Sequence, residues 1–238
     1  MSSNVRLWYH WVLANAFAEV VGLGLVGTIG WLMSGAIGER STVTVVLAFA
    51  TFTVALGALE GAVVGWAQSL VIRERLSGFE GWVQATILGA LVAWFVGMIP
   101  STVINLMPHN QAELSPSISQ SIRMLLAVGL GFVAGPLLAV FQYRILCRYV
   151  GRAGWWLLAN ALAWAVGMPV VFAGLHVAYM AVEPWVVGSV IVGTLALAGA
   201  AVGSIHGIFL VHLLRPENQL RFPLRCTGQP SATDEFKP

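Results

Sequence analysis

Leu59 to Gln68, LEGAVVGWAQ, is the stretch whose reading decides the fold. It is apolar except for Glu60 and Gln68, and Gly57, Gly61 and Gly65 recur every four residues, so they share one face of a helix. The pattern returns twice at intervals of about 70 residues, as VAGPLLAVFQ from Val133 and LAGAAVGSIH from Leu197. Gly61, Gly135 and Gly199 become equivalents, as do Gly65, Ala139 and Gly203, and then Gln68, Gln142 and His206. Ahead of each runs another apolar helix: WVLANAFAEVVG from Trp11, WVQATILGALVA from Trp82 and WLLANALAWAVG from Trp156. That alignment equates Asn15, Thr86 and Asn160. An alternative register matches Trp82 with Trp155, and WFVGMIP from Trp94 meets WAVGMP from Trp164 only with a shift.

Outward from these motifs, nearly the whole chain is apolar. With 58% hydrophobic and 9% charged residues over 238 positions, and a mean hydropathy of +0.83, an ordinary soluble domain is excluded. Crossing a bilayer takes about 20 mainly apolar helical residues. Six stretches qualify, at about 8–33, 43–72, 82–106, 122–147, 155–181 and 186–214. The runs are long and continuous, unlike the short alternating strands of a membrane barrel. The expected fold is all-α: one domain over 1–214 of six transmembrane helices, arranged as three pseudo-repeated hairpins around an axis along the membrane normal. A polar tail over 215–238 has little to bury and is expected to be partly disordered. The connection from Met107 to Ser121 is polar and long, and is expected to lie on the outer surface or to cover an opening. The apolar run behind MSSNVRLWYHW is far longer than a signal-peptide core, so the first helix is expected to stay.

Orientation follows from the basic residues. Arg6, Arg73, Arg75, Arg144, Arg148, Arg152, Arg215, Arg221, Arg225 and Lys237 fall on one side, against Arg40 and Arg123 on the other. Both termini are therefore expected in the cytoplasm, with the chain in the cell (inner) membrane. The net charge of +2 reflects this topology and implies no nucleic-acid partner. Cys147 and Cys226 fall on the cytoplasmic side, where thiols are expected to stay reduced.

Small residues every four positions let helix backbones approach closely in lipid. Gly57, Gly61 and Gly65, Gly131 and Gly135, and Gly199 and Gly203 are accordingly read as packing faces. Pro100, Pro136 and Pro169 fall within helices, where each removes a backbone hydrogen bond. Trp8, Trp11, Trp82, Trp155, Trp156 and Trp185 lie near the expected interfaces and read as anchors, whereas Trp66, Trp94 and Trp164 lie deeper. Gly22-Leu-Gly-Leu-Val-Gly27 matches a dinucleotide fingerprint, but mid-helix it lacks the preceding strand that chemistry needs.

Glu19 and Glu60 break the repeat. Their equivalents are Ala90 and Trp164 for Glu19, and Ala134 and Ala198 for Glu60, so the scaffold itself asks for no acid there. A carboxylate near the midplane is costly unless paired, hydrated or protonated, and is a functional candidate for that reason. Asn15, Thr86, Asn160, Gln68, Gln142 and His206 are expected to form a polar layer in the inner leaflet, either as interhelical hydrogen bonds or as a cavity lining. His206 in the inner half, His176 in the outer half, and His10 and His212 at the inner boundary are weighed as a proton relay, a metal site or an axial haem or chlorophyll ligand, but no spacing supports one specifically. No nucleophile motif such as GxSxG stands at a plausible position.

The run from Gly61 through Gln68 to Arg73, followed by Gly81-Trp82, and its echo from Gly135 to Gln142, followed by Gly154-Trp-Trp, resembles a pattern in uncharacterised multi-pass bacterial membrane proteins. That resemblance implies the repeat architecture and transfers no activity. The three-repeat mitochondrial carriers share the number of hairpins, but their Pro-x-acid-x-x-base signature is missing. The expected function is non-enzymatic: a polar intramembrane cavity that binds or translocates a small solute or ion. The candidate residues are Glu19, Glu60, His206, Asn15, Gln68, Gln142 and Asn160. The alternatives are an accessory subunit that docks on a membrane-protein partner, or on a second copy, by its glycine faces, and an intramembrane enzyme.

Overall fold

The computed structural model describes residues 2–34, 42–76, 79–107 and 119–220. It contains six long helices: α1 (Ser3–Ser34), α2 (Val43–Ile72), α3 (Trp82–Leu106), α4 (Gln120–Leu146), α5 (Trp155–Met180) and α6 (Pro184–Leu213). All six are long and apolar enough to cross a membrane, and no strand is present among the described residues. The protein is thus a multi-pass, all-α membrane protein. Helix α1 begins at Ser3, earlier than the apolar run alone suggests, because Leu7 and Trp11 bury themselves in the bundle and carry the helix toward the terminus. Pro100, Pro136 and Pro169 each lie inside a single helix. Position 40, the segment 108–118 of the long polar connection, and the tail beyond position 220 lie outside the described residues.

Each helix packs on its neighbours in the chain, and α6 returns to pack on α1, so the six close into a ring. The glycines decide which neighbours meet most closely. A Cβ at Gly61 would lie 2.8 Å from Ile87 Cα and 3.0 Å from the Thr86 carbonyl oxygen. At Gly135 it would lie 2.3 Å from the Asn160 carbonyl oxygen, and at Gly199 2.6 Å from that of Asn15. These are the same contact made three times, in register. Gly89 brings α3 as close to α4, with a Cβ 2.1 Å from the Leu138 carbonyl oxygen, but the contact in register joins α2 with α3, α4 with α5, and α6 with α1. Two of these pairs are joined by short connections at the end of the ring that carries most of the basic residues; the third closes the ring with no connection at all. Gly81, at φ +81°, starts α3 in a conformation that favours glycine.

That basic end is plugged. Leu7, Ile72, Leu146, Val150, Leu210, Leu213 and Leu214 form a buried apolar floor. Trp11, Trp82 and Trp156 lie on top of it, with Trp156 touching both others at ring-centroid distances of 5.9 and 5.8 Å. None of the three is more than 1% exposed. This corrects their reading as interface anchors: they meet inside the ring. Trp155 and Trp185 do face outward. The first tail residues also belong to the fold, since Gly151 N–H donates to Asn218 O and Leu220 N–H to Tyr149 O. Cys147 is disulfide-bonded, contrary to the expectation of a reduced thiol; the other cysteine, Cys226, lies outside the described residues.

Toward the opposite end the packing loosens. The buried residues of α3 all lie between Trp82 and Ala90, and those of α6 all lie from Leu195 onward. Beyond Gly57, α2 and α3 leave an apolar groove of about 400 Å³ between Leu47, Val54, Phe95 and Ile99.

Candidate functional site

The polar residues gather directly above the tryptophans. Asn15, Thr86 and Asn160 each donate to the carbonyl of the tryptophan one turn earlier, Trp11, Trp82 and Trp156, at 2.8, 2.9 and 2.9 Å. The amides on the returning helices tie these elements across the ring. Gln68 accepts from Trp82 Nε1 at 3.0 Å and donates to Asn15 Oδ1 at 2.9 Å. Gln142 repeats this one sector on, accepting from Trp156 Nε1 at 2.9 Å and donating to Thr86 Oγ1 at 2.9 Å. It also reaches Gln68 Oε1 at 3.3 Å. Buried amides in hydrocarbon must find such partners, and here each pair joins three helices.

One helical turn further from the plug lies a central cavity to which all six helices contribute. Its lining includes Asn15 and Glu19 of α1, Glu60 and Gln68 of α2, Thr86 of α3, Leu138 of α4, Trp164 of α5 and His206 of α6. Its volume is about 10 Å³, room for about one water. Glu19 and Glu60 are both buried. They reach the cavity because Gly199 and Gly22 leave room for them: a Cβ at Gly199 would stand 2.8 Å from Glu19 Cγ, and one at Gly22 3.3 Å from Glu60 Cγ. Trp94 donates its indole N–H to Glu60 Oε2. Among the described residues no lysine or arginine lines the cavity, so neither offsets the two carboxyl groups.

The structure thus brings Asn15, Glu19, Glu60, Gln68 and His206 to one cavity, with Gln142 and Asn160 in the hydrogen-bonded layer beside it. The glycines at positions 57, 61, 65, 131, 135, 199 and 203 all face the chain's own helices, so those faces are already filled. His176 does not join the cavity lining. Sequence reading missed Trp94 as the partner of Glu60, although its depth was legible. It also missed the tryptophan donors to Gln68 and Gln142; their signal is the spacing of 14 residues between each glutamine and the tryptophan that follows. Among the described residues no group of three His, Cys, Asp or Glu side chains could hold a metal ion. Comparison with family models, with curated proteins and with solved structures finds no match for this chain.

Proposed function

We propose that this is a non-enzymatic protein of the cell's inner membrane, with both termini cytoplasmic, that binds a small ion in its central cavity and passes it across the bilayer. The observation that carries this reading is the placement of Glu19 and Glu60 on one cavity that no described lysine or arginine lines. Two neighbouring carboxylates in a low-dielectric site cannot both remain charged without a proton or a cation between them. The loosened far half offers the approach, while the tryptophan plug closes the cytoplasmic end. A volume near that of one water leaves no space for an organic solute in this conformation. Docking to a partner through the glycine faces gains no support, because those faces meet the chain's own helices.

The test is ion flux into liposomes that hold the purified protein, comparing the wild type with Glu19→Gln and Glu60→Gln. Both substitutions keep the side-chain shape and remove the negative charge, so flux should fall to the level of empty liposomes while circular dichroism and elution volume stay unchanged. Wild-type flux in both variants would sink the reading.

A further inference from the structure

Four buried side-chain atoms among the described residues lack a hydrogen-bond partner: Trp11 Nε1, Asn160 Oδ1, and Nδ1 and Nε2 of His206. They form one set. In the other two sectors a glutamine on the returning helix accepts from the tryptophan of the next outgoing helix and donates to the asparagine or threonine of the previous one. His206 stands in the glutamine's place, Trp11 in the tryptophan's and Asn160 in the asparagine's. The backbones agree, since Gly203 meets Asn15 and Val12 just as Gly65 meets Thr86 and Val83. A neutral imidazole carries one donor and one acceptor, the same inventory as the carboxamide's use here. On the pattern of the two glutamine sectors, one imidazole nitrogen would accept from Trp11 Nε1 and the other would donate to Asn160 Oδ1, completing the layer. What glutamine cannot do is accept a proton. His206 also lines the carboxylate cavity, so it belongs to both the seal and the site.

We propose that the ligand of this cavity is the proton and that His206 receives it from the carboxyl pair on the cytoplasmic side; this rests on the ion-binding reading above. The free ligand atoms support a proton over a metal cation. Gln68 Oε1, Asn15 Oδ1, Thr86 Oγ1, Gln142 Oε1 and Glu60 Oε2 already accept hydrogen bonds. Hard cations take six or more oxygen ligands, whereas a proton needs one donor and one acceptor. In the transfer, a carboxylic acid O–H of Glu19 or Glu60 gives its proton to an imidazole nitrogen, leaving a carboxylate and an imidazolium. The imidazolium has no lone pair for Trp11 Nε1–H, so the third sector opens while the two glutamine sectors hold. The titratable groups facing His206 are Glu19 from α1 and Glu60 across the cavity; Asn160, Trp156 and Trp164 of α5 are neutral.

The experiment uses the full-length chain in liposomes under an imposed pH gradient, with His206→Gln as the variant. That change installs the residue of the other two sectors, so the protein should fold at least as stably as the wild type. Proton flux should drop at least tenfold, while the carboxyl stretching band of Glu19 and Glu60 still titrates in infrared spectra. Flux within twofold of wild type would overturn the role of His206 and leave the carboxylates in place. Flux of sodium or potassium in place of protons would overturn the ligand. Insensitivity to both glutamate variants would instead defeat the ion-binding reading beneath it. A measurement independent of folding is ¹⁵N NMR of wild-type His206, where the neutral ring should show one protonated and one hydrogen-bonded bare nitrogen. A bare nitrogen free of any hydrogen bond would overturn the closed third sector.

Discussion

The two halves of the ring use the same residue types to different ends. In the half at the basic end, glycines are where backbones touch: a Cβ at Gly89, Gly131 or Gly135 would fall 2.0 to 2.3 Å from a carbonyl oxygen of the next helix. Toward the far end, Gly27, Gly30, Gly97, Gly188 and Gly193 have nothing within 4 Å of that position. Helices α5 and α6 stay close there, where Gly174 meets Thr194. The difference teaches that a glycine in a membrane helix becomes a packing residue where something else holds the helices together, and in the basic half that is the polar network. Apolar side chains gain little by leaving acyl tails, so the tryptophan and glutamine hydrogen bonds must hold the helices close enough for the glycines to matter.

The largest effect that would break this contrast belongs to Gly135→Ala. The added methyl would lie 2.3 Å from the Asn160 carbonyl oxygen and 2.6 Å from its carbon. Neither atom can move without shifting a helix, so destabilisation should reach about 3 kcal/mol or more, at or above the top of the usual range for overpacking. Denaturant titration in mixed micelles would measure it. A loss below about 1 kcal/mol would mean that α4 and α5 separate easily.

Next in size is Gln142→Leu. It leaves Trp156 Nε1–H without an acceptor in a buried site and removes the donor to Thr86 Oγ1, at an expected cost of about 1–3 kcal/mol. The tryptophan emission spectrum should also change, because Trp156 touches both other rings. An unchanged spectrum and stability would mean that apolar packing alone holds the plug.

How much of this was legible in the sequence follows the same division. The six helices were, because hydrocarbon thickness sets their length and the basic loops their ends. The glycine faces were legible too, since a period of four survives as plain text, and so was the likeness of Gln68 and Gln142, which make matching hydrogen bonds. Which helix each face meets was not. Hairpin logic pairs α1 with α2, yet the glycine contact in register runs from each returning helix to the next outgoing one, and from α6 back to α1. Ring closure is a property of all six helices together. Trp11, Trp82 and Trp156 were misjudged for a related reason: their distance from the helix end suits an interface, and only the meeting of three such ends buries them. The carboxylates could be picked out as breaks in the repeat, but their common cavity depends on Gly22 and Gly199, which mattered only once α2 and α6 were seated on α1.

The smallest expected effect sharpens the comparison from the open side. Gly27→Ala places a methyl where no atom lies within 4 Å, inside α1 and exposed. No contact is gained or lost, so only the helix's own preference should register. Alanine is favoured over glycine in a helix interior by roughly 0.5–1 kcal/mol, largely because glycine loses more backbone freedom on folding. The variant should therefore be neutral or slightly more stable in the same titration, and its ion flux should match the wild type. Destabilisation comparable to that of Gly135→Ala would mean that the far half closes around Gly27 in the functioning protein, and that the looseness of that half belongs to one state of a moving ring.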